Sequence, residues 1–447
     1  NGCQYVTIDG SNSGGTDKSL TVANSSTAAS TYAIGLLNNG SQGASNCTIK
    51  NCNLKASSRL PNNTYGIFLS TTGGGYNNIV IDNNSIFSAR YGIQFAGVSG
   101  SAATNGQITG NIIGTATTAT EIKYAGIYVT QADNTLIQGN EIMGPAAGNS
   151  NTQQAGIWLF SGATNTKVRK NKIHDFYYNG TAGNGSFGIY FNTSSATTVT
   201  EISNNLIYNI KADGNTSTSS NQFKTPAGIQ VNNGGNAKIY FNTISLSGAC
   251  LSSSIVSISS CISICSGASG TFDVRNNILK NSMLPVSGTA NSTYGIYSAK
   301  PASSFSSLDY NDYFVDGINP NIGYLTANQP TVPAWPPATG NELPGRNLKP
   351  QFVSANDLHP SEPLLIGGTP IAGYPADYSG IIRAAIPSIG AYELPQVTTA
   401  AASEVTATGA TLNGTVNGCS QSVVASFEYG PTVAYGNVAV ATPSPVT

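Results

Sequence analysis

Two short segments, Ile81-Asp82-Asn83-Asn84-Ser85-Ile86 and Tyr91-Gly92-Ile93-Gln94-Phe95, recur along most of the sequence. The first carries an aliphatic residue, an asparagine three positions later and a large apolar residue two positions after that. Its further copies are Ile108/Asn111/Ile113, Ile137/Asn140/Ile142, Val168/Asn171/Ile173, Ile202/Asn205/Ile207, Ile239/Asn242/Ile244, Val274/Asn277/Leu279, the looser Leu308/Asn311/Tyr313, and Ile49/Cys52/Leu54, where cysteine replaces asparagine. The second segment recurs at residues 65–69, 125–129, 155–159, 187–191, 227–231 and 294–297, with variants at 32–36 and 260–264.

The spacing between copies, 26 to 40 residues, is typical of solenoids, propellers and repeat arrays. Each copy is a short β-rich run without the i, i+3, i+4 pattern of a helix, which excludes helical repeats. A propeller blade needs four antiparallel strands, whereas each copy offers two short strands, or three, joined by polar loops of uneven length. The sequence therefore predicts an all-β parallel β-helix solenoid of about nine or ten rungs, on the order of 45 Å long at about 4.8 Å per rung.

The recurring asparagine has a physical reason in such a coil. At a tight bend its side chain tolerates left-handed backbone geometry, and its amide can donate to the asparagine of one neighbouring rung and accept from the other. Each link in such a buried ladder contributes about 1 kcal/mol. The glycine before the central isoleucine of the second segment predicts a bend or a place where backbones crowd together.

The repeat resembles the right-handed parallel β-helix family, which includes pectate lyases, polygalacturonases and many bacterial surface proteins. The resemblance covers roughly residues 1 to 395. Its opening and closing segments are more narrowly similar to large secreted β-helix proteins of Bacteroidetes-like bacteria. These segments are Val6-Thr7-Ile8-Asp9-Gly10-Ser11, Pro350-Gln351-Phe352-Val353, Asp357-Leu358-His359, Gly368-Thr369-Pro370-Ile371-Ala372-Gly373 and Ile389-Gly390-Ala391-Tyr392-Glu393, with Asp377, Gly380 and Arg383 in the places of that group's Asp-x-x-Gly segment and arginine. The family includes lyases, hydrolases, adhesins and structural proteins, so the resemblance implies a right-handed fold and leaves the function open.

The chain divides into three parts. Residues 1–315 form the predicted β-helix, and the regular pattern then breaks into a stretch that includes Pro330, Pro333, Trp335, Pro336 and Pro337. Because an exposed last strand invites pairing, we interpret residues 316–395 as a closing or capping segment. Residues 396–447 resemble the opening strands of a fibronectin type III module, a β-sandwich of about 100 residues. Either the remaining strands lie beyond this sequence, or a neighbouring subunit donates them.

Composition restricts the class of protein. Charged residues make up 9% of the chain and the net charge is −1, so we expect neither nucleic acid nor an anionic membrane as a partner. No apolar run is long enough for membrane insertion. A surface rich in Asn, Ser, Thr, Gly and Tyr favours an extracellular or cell-surface location, and Asn1 lies just before a strand, as in a processed or truncated product. The sequence leaves open whether Asn179-Gly180-Thr181 is glycosylated.

Seven cysteines are spread along the chain. None has zinc-ligand spacing with His174 or His359, so no metal site is predicted from them. Cys250 and Cys261 can close a loop, and Cys3 can approach Cys47 or Cys52 on an early rung. The alternative for Cys52 and Cys261 is a small buried residue that replaces the asparagine or glycine of the repeat. Cys419 is the natural unpaired thiol.

Three groups of side chains are candidate sites. Asp309, Asp312 and Asp316 form either a solvated turn or a calcium site. Lys172 or His174 could act as a base toward an acidic sugar, with Glu141 and Glu201 on adjacent rungs, although solvated charge is the simpler interpretation. Exposed Trp158, Tyr128 and Tyr190 would form a stripe for sugar stacking, subunit packing or, most simply, cross-rung packing.

We therefore predict an extracellular structural protein, a filament-forming subunit or an adhesin, with no catalytic residue, cofactor or metal; calcium at the three aspartates is the alternative. The paired Asp-Asp and Gly-His-Gly motifs of β-helix hydrolases are absent from the sequence. The expected partners are further copies of the chain, arranged head to tail, or surface glycans. The alternative is a polysaccharide lyase or glycoside hydrolase acting on acidic glycans.

Overall fold

The computed structural model describes residues 2–26, 28–40, 42–56, 63–117, 119–145, 153–180, 184–193, 197–213, 225–250, 258–285, 291–332, 345–419 and 422–446. Pro333, Trp335, Pro336, Pro337, Thr181 of the sequon and the side chain of Cys250, all named above, lie outside the described part. No helix in the described ranges is long and apolar enough to cross a membrane.

Three long sheets run the length of the repeat region. The first contains β1 (Thr7–Asp9), β4 (Thr48–Lys50), β7 (Val80–Asp82), β11 (Gln107–Thr109), β15 (Leu136–Gln138), β19 (Lys167–Arg169), β22 (Val199–Ser203), β25 (Asn236–Tyr240), β28 (Phe272–Arg275) and β31 (Phe305–Asp309). The second contains β2 (Leu20–Ala23), β5 (Cys52–Lys55), β8 (Ser85–Phe87), β12 (Ile112–Ile113), β16 (Glu141–Met143), β20 (Lys172–Tyr178), β23 (Leu206–Ala212), β26 (Thr243–Cys250), β29 (Ile278–Pro285) and β32 (Asp312–Val315). The third contains β3 (Thr31–Leu36), β6 (Thr64–Leu69), β9 (Ala89–Ala96), β13 (Ile122–Thr130), β17 (Gln154–Leu159), β21 (Ser186–Asn192), β24 (Ala227–Asn233), β27 (Ile258–Ile264), β30 (Ser292–Ser298), β33 (Pro320–Leu325) and β34 (Ala327–Gln329).

Smaller elements complete the fold. They are a three-stranded sheet of β10 (Ala103–Thr104), β14 (Ala132–Asp133) and β18 (Ala163–Thr164), two antiparallel pairs of β35 (Gln396–Ser403) with β36 (Thr411–Asn417) and β37 (Ser426–Tyr429) with β38 (Asn437–Val440), and 3-10 turns at Ala302–Ser304 and Pro363–Leu365. Successive strands of the long sheets pair in parallel, except that β34 pairs antiparallel with β33. The predicted all-β parallel β-helix is confirmed.

Period-2 alternation in these short strands sends one aliphatic side chain inward on every rung. In the first sheet Ile108, Ile137 and Val168 lie in register and are fully buried. Their neighbours on each strand face outward. A fully buried side chain of this kind contributes about 1.5 to 3 kcal/mol, so the stacked column forms one continuous core.

The asparagine ladder is confirmed. Eight buried asparagines are linked amide to carbonyl, with Nδ2–Oδ1 distances of 2.9 to 3.0 Å; they are Asn84, Asn111, Asn140, Asn171, Asn205, Asn242, Asn277 and Asn311. One detail of the expectation is wrong, because the left-handed backbone belongs to the preceding residue. Asn83, Lys170 and Phe241, for example, have φ values of 50°, 54° and 55°. None of the eight ladder asparagines has a positive φ.

The repeated glycine marks close packing. A Cβ on Gly126 would lie 2.2 Å from Ile142 Cγ2 and 2.7 Å from the carbonyl oxygen of Gly156. Two cysteines replace repeat residues in the interior. The backbone N–H of Cys52 donates to Asn84 Oδ1 at 3.1 Å, and the fully buried Cys261 stands in a glycine position with its thiol 3.2 Å from the carbonyl oxygen of Lys280.

Residues 345–395, here called the returning segment, lie along the outer side of the rod. Asn276 donates to the carbonyl oxygen of Thr369 at 2.8 Å, and Ala391 N–H donates to Thr243 Oγ1 at 2.9 Å. Leu206 and Tyr208 on the second sheet pack in one apolar cluster with residues of the segment. The segment therefore covers the later rungs from outside.

A buried arginine anchors the returning segment. The Arg383 side chain is 4% exposed and lies 3.2 Å from Glu393. It donates to Asn204 Oδ1 at 2.8 Å, and its guanidinium sits 3.8 Å from the centre of the Phe241 ring. Asp377 accepts the backbone N–H of Glu393 at 2.8 Å. The Asp, Arg and Glu positions noted in the sequence thus form one structural joint.

Candidate functional site

The proposed base residues lie together on the outer face of the second sheet. Lys172 and His174 flank the inward-facing Ile173 on β20, and Glu141 on β16 is the register partner of Lys172. Glu141 Oε1 is 2.9 Å from Lys172 Nζ and 3.3 Å from His174 Nε2. His174 Nδ1 is 2.8 Å from Asp175 Oδ2. Alternation on neighbouring parallel strands explains this grouping.

The contacts within this cluster favour the charged forms of its members. Burial lowers the pKa of His174, but hydrogen bonds to Asp175 and Glu141 outweigh that effect and raise it. The hydrogen bond from His174 and then that from Lys172 bring the pKa of Glu141 down to about 2, against the opposing effect of burial. Burial likewise opposes the raised pKa of Lys172, which its contact with Glu141 maintains. A raised pKa and an ion pair with a carboxylate both make a residue a poorer general base.

The same cluster adjoins the returning segment. The His174 ring stacks on Tyr208 with centroids 4.8 Å apart. His359 stacks on Tyr392 at 3.6 Å, and Tyr208 and Tyr392 share one buried cluster. Both histidines of the chain therefore lie along the contact between the second sheet and the returning segment, as expected for a structural joint.

Glu201 is not part of this group. It lies on β22 in the first sheet, where it forms an ion pair with Arg169. The guanidinium of Arg169 also lies 5.3 Å from the centre of the Tyr374 ring. Burial raises the pKa of Glu201, but the hydrogen bond from Arg169 outweighs it and the pKa is lowered.

The three aspartates near the last rungs do not form a ligand set. Asp312 is fully buried and accepts the backbone N–H of Leu348 at 2.8 Å. Asp316 is exposed and accepts a hydrogen bond from Ser282. Within the described ranges no three or more His, Cys, Asp or Glu residues are grouped so that they could hold a metal ion.

The aromatic stripe exists, but the prediction that it is exposed is wrong. Trp158 is 6% exposed and Tyr190 is 3% exposed, while Tyr128 is partly buried. The Trp158 ring lies 5.0 Å from Tyr190 and stacks on Tyr124 at 5.0 Å with an interplanar angle of 21°. The aromatic rings of neighbouring rungs pack against one another. This cross-rung packing leaves little ring surface exposed for contact with a sugar.

A polar cleft on the outer face of the first sheet was not predicted. Its volume is about 340 Å³, and it is lined by Asn105, Gly106, Gln107, Asn134, Leu136, Gln138, Lys167 and Arg169. The lining comes from β11, β15 and β19 and from the turns that precede β11 and β15. Successive rungs thus present amide and cationic side chains side by side along the rod.

A second, exposed asparagine ladder reaches this cleft, where its members Asn105 and Asn134 form part of the lining. Asn78 donates to Asn46 at 2.9 Å, Asn105 to Asn78 at 3.2 Å and Asn134 to Asn105 at 2.7 Å. All four have left-handed backbones, with φ between 53° and 55°. The signal was present in the sequence, because each stands three residues before the aliphatic residue of the first segment.

Comparison with known proteins gives the fold. The family model described as "right handed beta helix region" matches residues 32–244. This part of the chain is a right-handed β-helix domain. No curated protein matches the sequence.

One similar solved structure is that of the Dettilon tailspike protein, which has 12% sequence identity to this chain and a TM-score of 0.30. The alignment covers 73% of this chain and 60% of the tailspike chain. This chain therefore spans less than two thirds of that protein, and at this TM-score the likeness says nothing about function.

Proposed function

We propose that this protein is a cell-surface β-helix rod that binds a glycan, as an adhesin or structural component, in the cleft of the first sheet. The observation that carries the proposal is the lining of that cleft. Gln107 and Gln138 offer amides that donate to and accept from sugar hydroxyls, and Lys167 offers an ammonium group for an acidic substituent. A repeating surface suits a repeating ligand laid along the rod.

The proposed location is extracellular, with no catalytic role. The low charge content, 9%, and the polar surface suit a protein that packs against glycans or neighbours. The alternative, a polysaccharide lyase or hydrolase, would use Lys172 or His174, which are paired with Glu141. A lyase assay on polygalacturonate separates the two, because product formation that is lost in Lys172→Met or His174→Gln would support the enzyme.

Binding is tested with the whole chain by calorimetric titration against polygalacturonate and, separately, neutral dextran. We expect Lys167→Ala to weaken binding of the acidic polymer about tenfold, the effect of one charge-assisted hydrogen bond. Gln138→Ala should weaken it less, about threefold.

Lys238→Ala is the matched control. Lys238 lies in the same register column as Lys167, two rungs further along and outside the cleft. Binding within about twofold of the parent is expected for this variant. Equal losses in the two lysine variants, or no binding to either polymer, would contradict the proposal.

A second proposal concerns residues 396–447 and self-association. Val397, Val438 and Val440 are 75%, 65% and 70% exposed on their strands, and a cleft of about 490 Å³ beside Leu412 and Phe427 separates the two antiparallel pairs. We propose that residues 1–315 form the β-helix and that residues 316–395 are its closing segment. We also propose that residues 396–447 are a fibronectin type III-like module whose apolar strands contact a second copy of the chain. Sedimentation that shows a monomer at high concentration would overturn the self-association.

A further inference from the structure

Two cysteine thiols meet at the start of the β-helix. Cys3 Sγ lies 3.5 Å from Cys47 Sγ. The backbone holds the two segments together, because Ser45 N–H donates to the carbonyl oxygen of Cys3 at 3.0 Å and Tyr5 N–H donates to that of Ser45 at 3.1 Å. Cys47 is buried and Cys3 is half-buried, so a reagent in solution reaches Cys3 first.

Only a short movement of the two sulfur atoms is needed to form a disulfide bond. Disulfide sulfurs are about 2.05 Å apart, so the two atoms must approach by about 1.5 Å. Rotation of the half-buried Cys3 side chain can supply this movement while its main-chain hydrogen bond to Ser45 stays in place.

We propose that Cys3 and Cys47 are an oxidation site at which a small soluble disulfide, such as oxidised glutathione, installs an intramolecular disulfide bond. The Cys3 thiolate attacks one glutathione sulfur, a Cys3–glutathione bond forms, and a glutathione thiolate leaves. The Cys47 thiolate then attacks Cys3 Sγ and displaces the second glutathione. Two protein thiols are thereby oxidised, and one glutathione disulfide is reduced to two thiols.

The bond would fasten the first rung. It joins residues 44 positions apart and so ties the segment before β1 to the start of β4. A cross-link over a long loop restricts the unfolded chain, and an oxidising compartment preserves it. Burial, and then the contact with Cys47, raises the pKa of the Cys3 thiol, so oxidation should accelerate as the pH rises. None of this chemistry depends on glycan binding.

The test is peptide mapping of the folded full chain after incubation with oxidised glutathione at alkaline pH and alkylation of the remaining thiols. We expect a peptide pair linked through Cys3 and Cys47. Recovery of both cysteines in alkylated form, a stable glutathione adduct on Cys3, or a link from Cys3 to Cys52 would overturn the proposal.

Two variants make the consequence measurable. Oxidation should lengthen the lifetime of the N-terminal rung toward a protease about tenfold in the parent. Cys3→Ser should show no such change, whereas Cys419→Ser should behave like the parent because Cys419 lies near Leu394, far along the chain. An equal protective effect of oxidation in Cys3→Ser would show that another cysteine is responsible.

Discussion

At the scale of single residues, each inner asparagine of the ladder joins two neighbouring rungs by hydrogen bonds. Asn171 donates to Asn205 Oδ1 and to the carbonyl oxygen of Ile137, both at 3.0 Å. It also accepts from the side chain of Asn140 at 2.9 Å and from its backbone N–H at 3.1 Å. One buried amide therefore satisfies main-chain and side-chain groups on the two neighbouring rungs.

Asn171→Ala should accordingly be severely destabilising. The loss leaves the backbone N–H of Asn140 and the carbonyl of Ile137 buried without the Asn171 side chain, at about 1 to 3 kcal/mol for each group, and it also leaves a cavity. The Asn140 amide keeps its bonds to the carbonyl oxygens of Ile108 and Gln138. We expect a loss of at least about 3 kcal/mol, measured as a lower midpoint of guanidinium unfolding.

Asn78→Gly serves as the control for this prediction. Asn78 belongs to the exposed ladder, its partners are accessible to water, and glycine tolerates its φ of 53°. A change of less than about 1 kcal/mol is expected. Similar losses in the two variants would mean that burial does not give the inner ladder its importance.

At the scale of secondary-structure elements, the contact of the second sheet with the returning segment decides the chemistry of its outward residues. Asp312 begins β32, and the returning segment covers it, with Leu348 N–H as the donor to Oδ1. Its other oxygen, Oδ2, has no hydrogen-bond partner within the part of the chain that is described. Burial raises its pKa from 3.8 to about 7, against the opposing effect of the Leu348 hydrogen bond.

The sign of the resulting pH dependence follows from this raised pKa. The native state favours protonated Asp312, so its contribution is fully present below pH 3.8 and is lost as the pH rises through about 7. Asp312→Asn should remove this loss, so that at pH 8 the variant is more stable than the parent, by at most about 4 kcal/mol. Urea unfolding at pH 4, 6 and 8 would measure the difference.

Asp316→Asn is the matched control for the pH series, because Asp316 is exposed. Its profile should follow that of the parent. If Asp312→Asn also follows the parent at every pH, the buried carboxyl does not carry the pH dependence.

At the scale of the whole molecule, stability is distributed along the rod. Each rung contacts mainly its neighbours, as in other solenoids, and the returning segment adds contacts across many rungs, such as that of Arg383 with Asn204. Strands β35 to β38, by contrast, are largely exposed.

Hydrogen exchange should report this gradient. We expect the backbone amides of the central ladder residues, such as Asn140, Asn171 and Asn205, to be the slowest, because each donates to a buried side chain. Amides of β35 to β38 should exchange faster, by about 100-fold or more. The exchange is measured by mass spectrometry. Uniform protection of the amides along the chain would contradict a gradient of stability.

Much of the fold could be predicted because the position of a residue within each copy of the repeat indicates its structural role. The positions of Asn84 and Gly92 in their segments indicate a ladder and a crowded corner, and alternation around Ile81 indicates which side chains face inward. The pairing of Glu141 with Lys172 and His174 also follows from register, since equivalent positions of successive copies stack.

The sequence by itself determined the solenoid, its inner ladder and the column positions, because each of these follows from a periodic pattern and from parallel stacking. Only the tertiary structure decided which outward positions are covered. Arg383 reaches Asn204 across 179 residues, Tyr374 meets Arg169, and Trp158 is buried by neighbouring rings. A repeat pattern fixes the direction of a side chain relative to the core, but burial on the outer surface depends on where distant, non-repeating chain packs.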